Sequence, residues 1–351
     1  RQMQALPLQG RNWMDLTLLA PSSRTGNAAS EVPQDRQGFF QINVDGQQVT
    51  QLICCSQQQA RFSRDAIGEF ELITNRFDAT QGRSQGMVVN AITKSGTNDF
   101  AGTLSGYFRD DALSTADFIQ NRVVPYSDQQ IVGTFGGPIR LDKIHFFTNY
   151  EYEREPQTVT FTSPYPSFNI DLSGARRQHT GVGKVDYEFT PRTRLAVRYA
   201  KYDQLIPNQQ TGGATVHPSG AQDITRRSDQ VWATHTNMIS NRAVNQVKGG
   251  FSVFNWALLP QVRWAGGGPF GGPSILGGGT ARIDFSSYSI GTANNSPQDI
   301  SEYISTIRDD LTFSFERGGR HDVKLGGEYF RWQGHWKEWC NRCNGVLRIN
   351  A

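Results

Sequence analysis

Residues 179–203 read HTGVGKVDYEFTPRTRLAVRYAKYD. In the first half, one parity holds Gly183, Val185, Tyr187 and Phe189, and the other holds Thr180, Val182, Lys184, Asp186 and Glu188. A repeat of two is the signature of a strand with two chemically distinct faces. Thr190-Pro191 interrupts it as a tight turn, and 192–203 returns as a second strand. The same split recurs elsewhere. Segment 143–155 sets Phe146, Thr148, Tyr150 and Tyr152 against Asn149, Glu151 and Glu153. Segment 301–316 sets Ile307, Leu311, Phe313 and Phe315 against Thr306, Arg308, Asp310, Thr312, Ser314 and Glu316, and 320–337 sets Val323, Leu325 and Tyr329 against Lys324 and Glu328. A soluble sandwich produces this pattern too, so alternation alone leaves the solvent of the apolar face open.

Extending the scan gives nine strands, near 97–109, 128–138, 143–155, 179–189, 192–203, 229–239, 242–256, 301–316 and 320–337. Their connections alternate without exception. Long loops at 110–127, 156–178, 204–228 and 257–300 are separated by tight turns at 139–142, 190–191, 240–241 and 317–319. Membrane β-barrels require this order, with short turns at one end and long loops at the other; Greek-key sandwiches and propellers do not. The ends beside the tight turns hold Phe146, Phe147, Tyr187, Phe189, Phe313 and Phe315. The ends beside the long loops hold Tyr107, Phe108, Tyr150, Tyr152, Tyr199, Tyr202, Trp232, Phe254, Trp256, Tyr329 and Trp332. Two aromatic belts, separated by about the ~9–11 residues of a tilted spanning strand, favour a membrane wall over a soluble one.

Composition fits this reading. The 351 residues have a net charge of +3, from 35 Lys and Arg against 32 Asp and Glu. The balance is 9 against 8 up to Gly96 and 26 against 24 beyond it, so neither part has the basic excess of a nucleic-acid binder. Mean hydropathy is −0.52, and no run approaches the ~18 apolar residues of a membrane helix, a test that strands escape. The 36 Gly and 11% aromatic content favour turn-rich β structure. Nothing near Arg1 has the profile of a signal peptide, and the chain reads as cut at its start.

Particular runs carry a resemblance. Leu6 to Pro21 (LPLQGRNWMDLTLLAP), Phe40 to Gly46 (FQINVDG), Arg64 to Ala79 (RDAIGEFELITNRFDA) and Gln81 to Phe100 (QGRSQGMVVNAITKSGTNDF) resemble the plug domain of TonB-dependent outer-membrane receptors of the Oar-like group, in which a carboxypeptidase-regulatory-like domain precedes the plug. Gly136 to Phe147 (GGPIRLDKIHFF) is similar to that family's first periplasmic hairpin. The match is dense over residues 1–155 and a matter of pattern beyond them. The resemblance implies an α+β plug over 1–96, followed over 97–351 by antiparallel all-β structure, the N-terminal part of a transmembrane β-barrel that this chain does not close. Such receptors are similar in having 22 strands; no TonB-contacting box or regulatory domain precedes Arg1, and Arg348 to Ala351 lacks a terminal aromatic, so an internal fragment is expected. The resemblance also implies a bacterial outer-membrane location and three partners: membrane lipid, an inner-membrane TonB energising complex, and a small extracellular ligand such as a siderophore, oligosaccharide or peptide. It implies no chemistry on that ligand, no cofactor and no nucleic acid. Two rivals are a surface adhesion or assembly barrel without uptake and a soluble periplasmic all-β binding protein.

Candidate site residues follow from this frame. Trp256, Trp264 and Phe270, in or beside the longest loop, offer flat faces for a sugar ring, and Tyr126 and Gln51 join them at an outer loop and the plug apex. Lys184, Asp186, Glu188, Arg308 and Asp310 are expected to line the lumen and hold the plug by ion pairs. Cys340-x-x-Cys343 reads as a loop disulfide ahead of free thiols or half a zinc site, His335 being the third ligand in reach, and no metal is assigned. Cys54-Cys55 falls at the implied plug top, where bridging adjacent cysteines to each other would be strained. Gly82-Arg-Ser-Gln-Gly86 fits G-x-S-x-G but lacks the strand before and helix after Ser84 that a nucleophile elbow needs. Gly266 to Gly271 fits G-x-G-x-x-G only by composition, with Pro269 inside it. The six His show no pairing that suggests catalysis.

Overall fold

The computed structural model describes residues 11–14, 40–50, 61–74, 87–113, 115–116, 123, 127–161, 167, 170–209, 215–260, 281–294, 296–339 and 345–349. Two sheets dominate it. The smaller has four strands in the order β2-β1-β4-β3: β1 Phe40–Val44, β2 Gln47–Gln48, β3 Ile67–Thr74 and β4 Met87–Thr93. β1 runs parallel to β4, while β2 and β3 pair antiparallel. Between β1 and β2, Asp45 (φ 52°) and Gly46 (φ 87°) make the positive-φ turn that Asp-Gly favours in two-residue hairpins.

The larger sheet is a nine-stranded antiparallel meander. It runs β5 Ala101–Asp110, β6 Ser127–Arg140, β7 Ile144–Phe161, β8 Ile170–Thr190, β9 Thr193–Gln209, β10 Gln222–Ser240, β11 Ala243–Pro260, β14 Gln298–Glu316 and β15 Arg320–Trp339. Each strand pairs with its neighbour in sequence, and β5 and β15 are the open edges. The insertion between β11 and β14 carries β12 Arg282–Asp284 and β13 Ser289–Ile290, which form a small sheet with β16 Val346–Arg348.

All nine expected strands are present, and the short turns at 141–143, 191–192, 241–242 and 317–319 fall where the pattern places them. The long-loop end differs. Strands β7 and β8 remain paired from Glu155–Arg176 out to Phe161–Ile170, so most of 156–178 is strand rather than loop. In that extension the inward parity mixes Gln157, Gly174 and Arg176 with Val159, Phe161, Ile170 and Leu172, so neither face shows the clean split by which alternation marks a strand.

Face assignment is decisive. On β8, Thr180, Val182 and Lys184 are buried under the N-terminal sheet, whereas Val185 and Phe189 are 40% and 45% exposed. On β7, Asn149, Glu151 and Glu153 are buried and Tyr150 is exposed. The charged face is therefore the inner one and the apolar face the outer, the reverse of a soluble sandwich. Outward-facing Tyr303 and Phe313 on β14 lie ten residues apart, roughly 33 Å along a strand and about 25 Å once tilted by ~40°, close to the height of an apolar band.

Parity also corrects the belts. Phe146, Tyr150, Tyr152, Tyr187, Phe189, Tyr199, Phe313 and Phe315 take the outward parity, but Phe147, Tyr202, Trp232 and Phe254 are buried on the inner face. Trp256 packs beside Tyr202 and Phe254, Trp332 shares the inward parity of Ile304, and Tyr107 lies under the Arg11 guanidinium at 3.5 Å. These six aromatics and Phe147 lie near the strand ends but on the wrong face for a girdle.

Candidate functional site

The N-terminal sheet meets the wall through one continuous contact. Its apolar part joins Trp13, Met14, Ile42, Val44, Val49, Phe62, Ala66, Ile67, Val89 and Ala91 to Phe147, Val182 and Ala200 of the wall. Small or slender side chains at 182 and 200 let the sheet approach closely. Around that patch the contact is polar and charged.

Its centre is the Asp45-Gly46 turn. Asp45 Oδ1 accepts from the Thr93 backbone N–H at 2.9 Å and Oδ2 from the Thr93 hydroxyl at 2.7 Å, which fixes the carboxylate within its own sheet. The wall then reaches in from three strands. Arg198 of β9 donates Nη1 to Asp45 Oδ2 at 3.0 Å and Nη2 to Gln47 Oε1. Lys184 of β8 lies 3.8 Å from Asp45 Oδ1 and donates to the Thr93 carbonyl at 3.2 Å. Trp232 of β10 donates Nε1–H to the Asp45 carbonyl at 2.9 Å. The Arg198 side chain is 1% exposed. An arginine buried this deeply needs its charge matched, as Asp45 does here.

Gly250 of β11 makes room for the indole. A Cβ there would lie 2.7 Å from Trp232 Cε3 and collide with the Val231 carbonyl oxygen. A second polar contact lies toward β6 and β7. The Ser63 hydroxyl donates to Glu151 Oε2 at 2.5 Å, and Gln130 Nε2 donates to Oε1 at 2.8 Å. Arg61 approaches Glu153 at 3.9 Å, while Arg176 bridges Glu153 and Glu155 at 2.8 and 2.7 Å. Arg11 pairs with Asp65 at 2.6 Å beneath its stack on Tyr107.

Toward the long-loop end the inner face turns amide-rich. Gln204 donates to Gln178 at 2.9 Å but keeps a buried carbonyl oxygen that has no partner among the described residues. Among the described residues Gln222 has both amide atoms buried and unpaired, as are Gln230 Oε1 and the Trp256 indole N–H. Buried polar atoms without partners are costly and uncommon, and Gln222, Gln204 and Trp256 place such atoms toward the long-loop end, with Gln230 farther down β10.

The sequence-expected residues are placed as follows. Lys184 reaches the N-terminal sheet. Asp186 sits one step nearer the short-turn end with Oδ2 buried and unpaired among the described residues, and Glu188 is exposed beside the turn. Arg308 and Asp310 pair with each other at 2.8 Å, and Asp310 with Lys248 at 3.3 Å, next to the Gly46 tip. Trp256 faces inward. Trp264, Phe270, Tyr126, Gln51, Cys54, Cys55, Ser84, Cys340 and Cys343 lie outside the described residues. Among the described residues no three metal-ligating side chains converge. Asp45, Arg198 and Gln222 escaped sequence reasoning, Glu151 was read only as part of a polar face and Trp232 as a belt residue; only the Asp45-Gly46 turn carries a local signal.

The small sheet between the long loops is built from its own polar cluster. Burial alone would push the Asp284 carboxyl up, but the Ser289 hydroxyl at 2.8 Å and the Arg282 guanidinium at 2.6 Å hold it below the ordinary carboxylate value. Burial lowers the His217 imidazole pKa; this side chain caps the turn 218–220 by accepting from the Ser219 N–H at 3.1 Å.

Comparison with known proteins agrees with this geometry. Residues 92–174 and 166–350 match the family described as Outer membrane beta barrel domain, and the chain belongs to that family. No curated protein sequence matches it. Among solved structures, the outer membrane transporter YddB from Escherichia coli is similar with a TM-score of 0.65 and 11% identity, over 89% of this chain and 43% of that one. The siderophore receptor PirA from Acinetobacter baumannii has a TM-score of 0.57 at 14% identity, over 85% and 41%. The ferripyoverdine receptor of the outer membrane of Pseudomonas aeruginosa has 0.55 at 14%, over 89% and 39%. At such identities the likeness is one of fold, and this chain spans about two fifths of each.

Proposed function

We propose that this member of the outer-membrane β-barrel family is the plug and first barrel strands of a TonB-dependent receptor of the Oar-like group. On this reading residues 1–96 are the plug and 97–351 the opening part of the wall. Further strands meet the free edges of β5 and β15, because an open sheet edge is not tolerated in lipid. The observation that carries the proposal is the Asp45 turn, held by side chains from three wall strands across the inner face.

The implied mechanism is mechanical. A small ligand docks at the long-loop end against Trp256 and the Gln222 amide. An inner-membrane energising complex then pulls the plug, and the contacts that yield are those of Arg198, Lys184 and Glu151. No bond in the ligand changes. The test is removal of residues 1–95 from the full-length protein. The deleted form should admit large polar antibiotics that the intact form excludes; equal exclusion would contradict the plug assignment. Transport is tested separately: a ligand should bind cells with or without the energising complex and accumulate only with it.

A further inference from the structure

Within the apolar band of the outer face, one row of the sheet holds two polar groups that the wall leaves unmatched. Asp309 of β14 takes the outward parity of Ile307, Leu311 and Phe313. It stands four residues from Phe313 and six from Tyr303, so roughly 10 Å inside the band once the strand is tilted by ~40°. The Asn245 amide donates to Asp309 Oδ1 at 2.5 Å, and Oδ2 has no partner among the described residues. His235 of β10 shares the row: it pairs with Val247 of β11, which in turn pairs with Asp309. Neither ring nitrogen of His235 has a partner among the described residues.

A carboxylate that faces hydrocarbon is costly unless a polar group meets it, and so is an imidazole with free nitrogens. These two do not meet each other, because Val247 stands between them and their strands lie about 10 Å apart. The row is also shallow. Ala233 and Gly249 pair across β10 and β11, and Gly327 of β15 pairs with Asp309, so another surface can approach the backbone closely. An acid and a donor flanking a central residue make a self-complementary patch. A half-turn about the membrane normal, with the axis passing in front of Val247, sets Asp309 against the partner's His235 and repeats that contact on the other side. Strand tilt leaves the two groups about 6 Å apart in height, within side-chain reach. A different protein could meet either group singly, whereas a second copy meets both with one contact made twice. We propose that this row is the interface between two copies of the barrel in the membrane, centred on Val247 and closed by two hydrogen bonds from His235 to Asp309. The contact lies on the short-turn side of Ile307, on the face opposite the N-terminal sheet, and is independent of uptake.

The experiment uses the full-length protein with its native cysteines replaced by serine and Val247→Cys introduced. Oxidation with copper phenanthroline in isolated outer membranes should give a disulfide-linked species of twice the protein's mass. Val185→Cys, outward-facing on β8, should stay monomeric. Adding Asp309→Asn should lower the linked fraction by about tenfold, the scale of one polar pair lost within a membrane. Exchanging the two groups, Asp309→His with His235→Asp, should restore it, which a role for Asp309 confined to its own sheet would not. No linked species, linkage to a protein of another mass, equal linkage at 185, or a linked fraction indifferent to Asp309→Asn would each overturn the proposal. If the variants fail to insert, sedimentation equilibrium of wild type in dodecyl maltoside decides: a dimer supports the interface and a monomer overturns it.

Discussion

Asp45 binds its own sheet with one set of bonds and the wall with another, so substitutions on the two sides should separate. Arg198→Ala leaves the Asp45 carboxylate buried with Lys184 as its remaining cation. Breaking one side of a buried pair costs about 3–5 kcal/mol, here as docking of the N-terminal sheet rather than as folding of the wall. Amide exchange at Val49, whose N–H is bonded to the Ile42 carbonyl at 2.9 Å, should accelerate by about a hundredfold or more while exchange along β8 stays slow. Unchanged protection at Val49 would remove Arg198 from the lock. Gly250→Ala tests the same lock from behind: displacing the indole should break its bond to the Asp45 carbonyl and shift tryptophan emission. None of this pairing was legible in the sequence, because Asp45 and Arg198 are 153 residues apart. The Asp-Gly turn was legible as a turn, but its role required the fold.

Elements were legible wherever a strand has one apolar and one charged face. Four wall strands, β7, β8, β14 and β15, meet that condition cleanly and the others by weaker alternation, which is why the pattern located them and why 156–161 and 170–178, where the split fails, were read as loop. β12, β13 and β16 are two or three residues long, too short for any period to register. The belts were misjudged for another reason: aromatics were placed by height along the strand without regard to parity, and Trp232 and Tyr202 belong to the lumen. Parity gives a direct prediction on β8. Val185→Arg should cost about 2–4 kcal/mol for folding from urea into vesicles, the penalty for a charge on the lipid face. Ser173→Arg, on the same parity but farther out, should cost under 1 kcal/mol; equal penalties would deny a hydrocarbon boundary. The small outer sheet has its own pH response. Because burial lowers the His217 pKa, its unfolded form takes up a proton first as pH falls. Stability of the capped turn is therefore full above the ordinary value of about 6.5 and lost as pH drops below it toward the folded value. The protection factor of the Gly220 amide, bonded to the His217 carbonyl at 2.8 Å, should fall between about pH 7 and 5 in wild type and stay flat in His217→Asn.

At the scale of the molecule, the arrangement is an inside-out sheet: apolar outside, charged inside, with a second sheet occupying the inner face. The energetic logic differs from that of a soluble sandwich. Lipid supplies the surroundings of Val185, Val197 and Ile307, so the wall needs no protein layer there. The N-terminal sheet can then be held by a small apolar patch and buried charge pairs. The most direct measurement is spin-label accessibility in reconstituted bilayers, in full-length protein whose four native cysteines are replaced by serine. Labels at 185, 197 and 307 should be relaxed by dissolved oxygen and not by a water-soluble nickel chelate, while labels at 184, 198 and 306 should be shielded from both until residues 1–95 are removed. Chelate access at 185, 197 and 307, or shielding at 184, 198 and 306 that survives that removal, would contradict a lipid-facing wall stoppered from within.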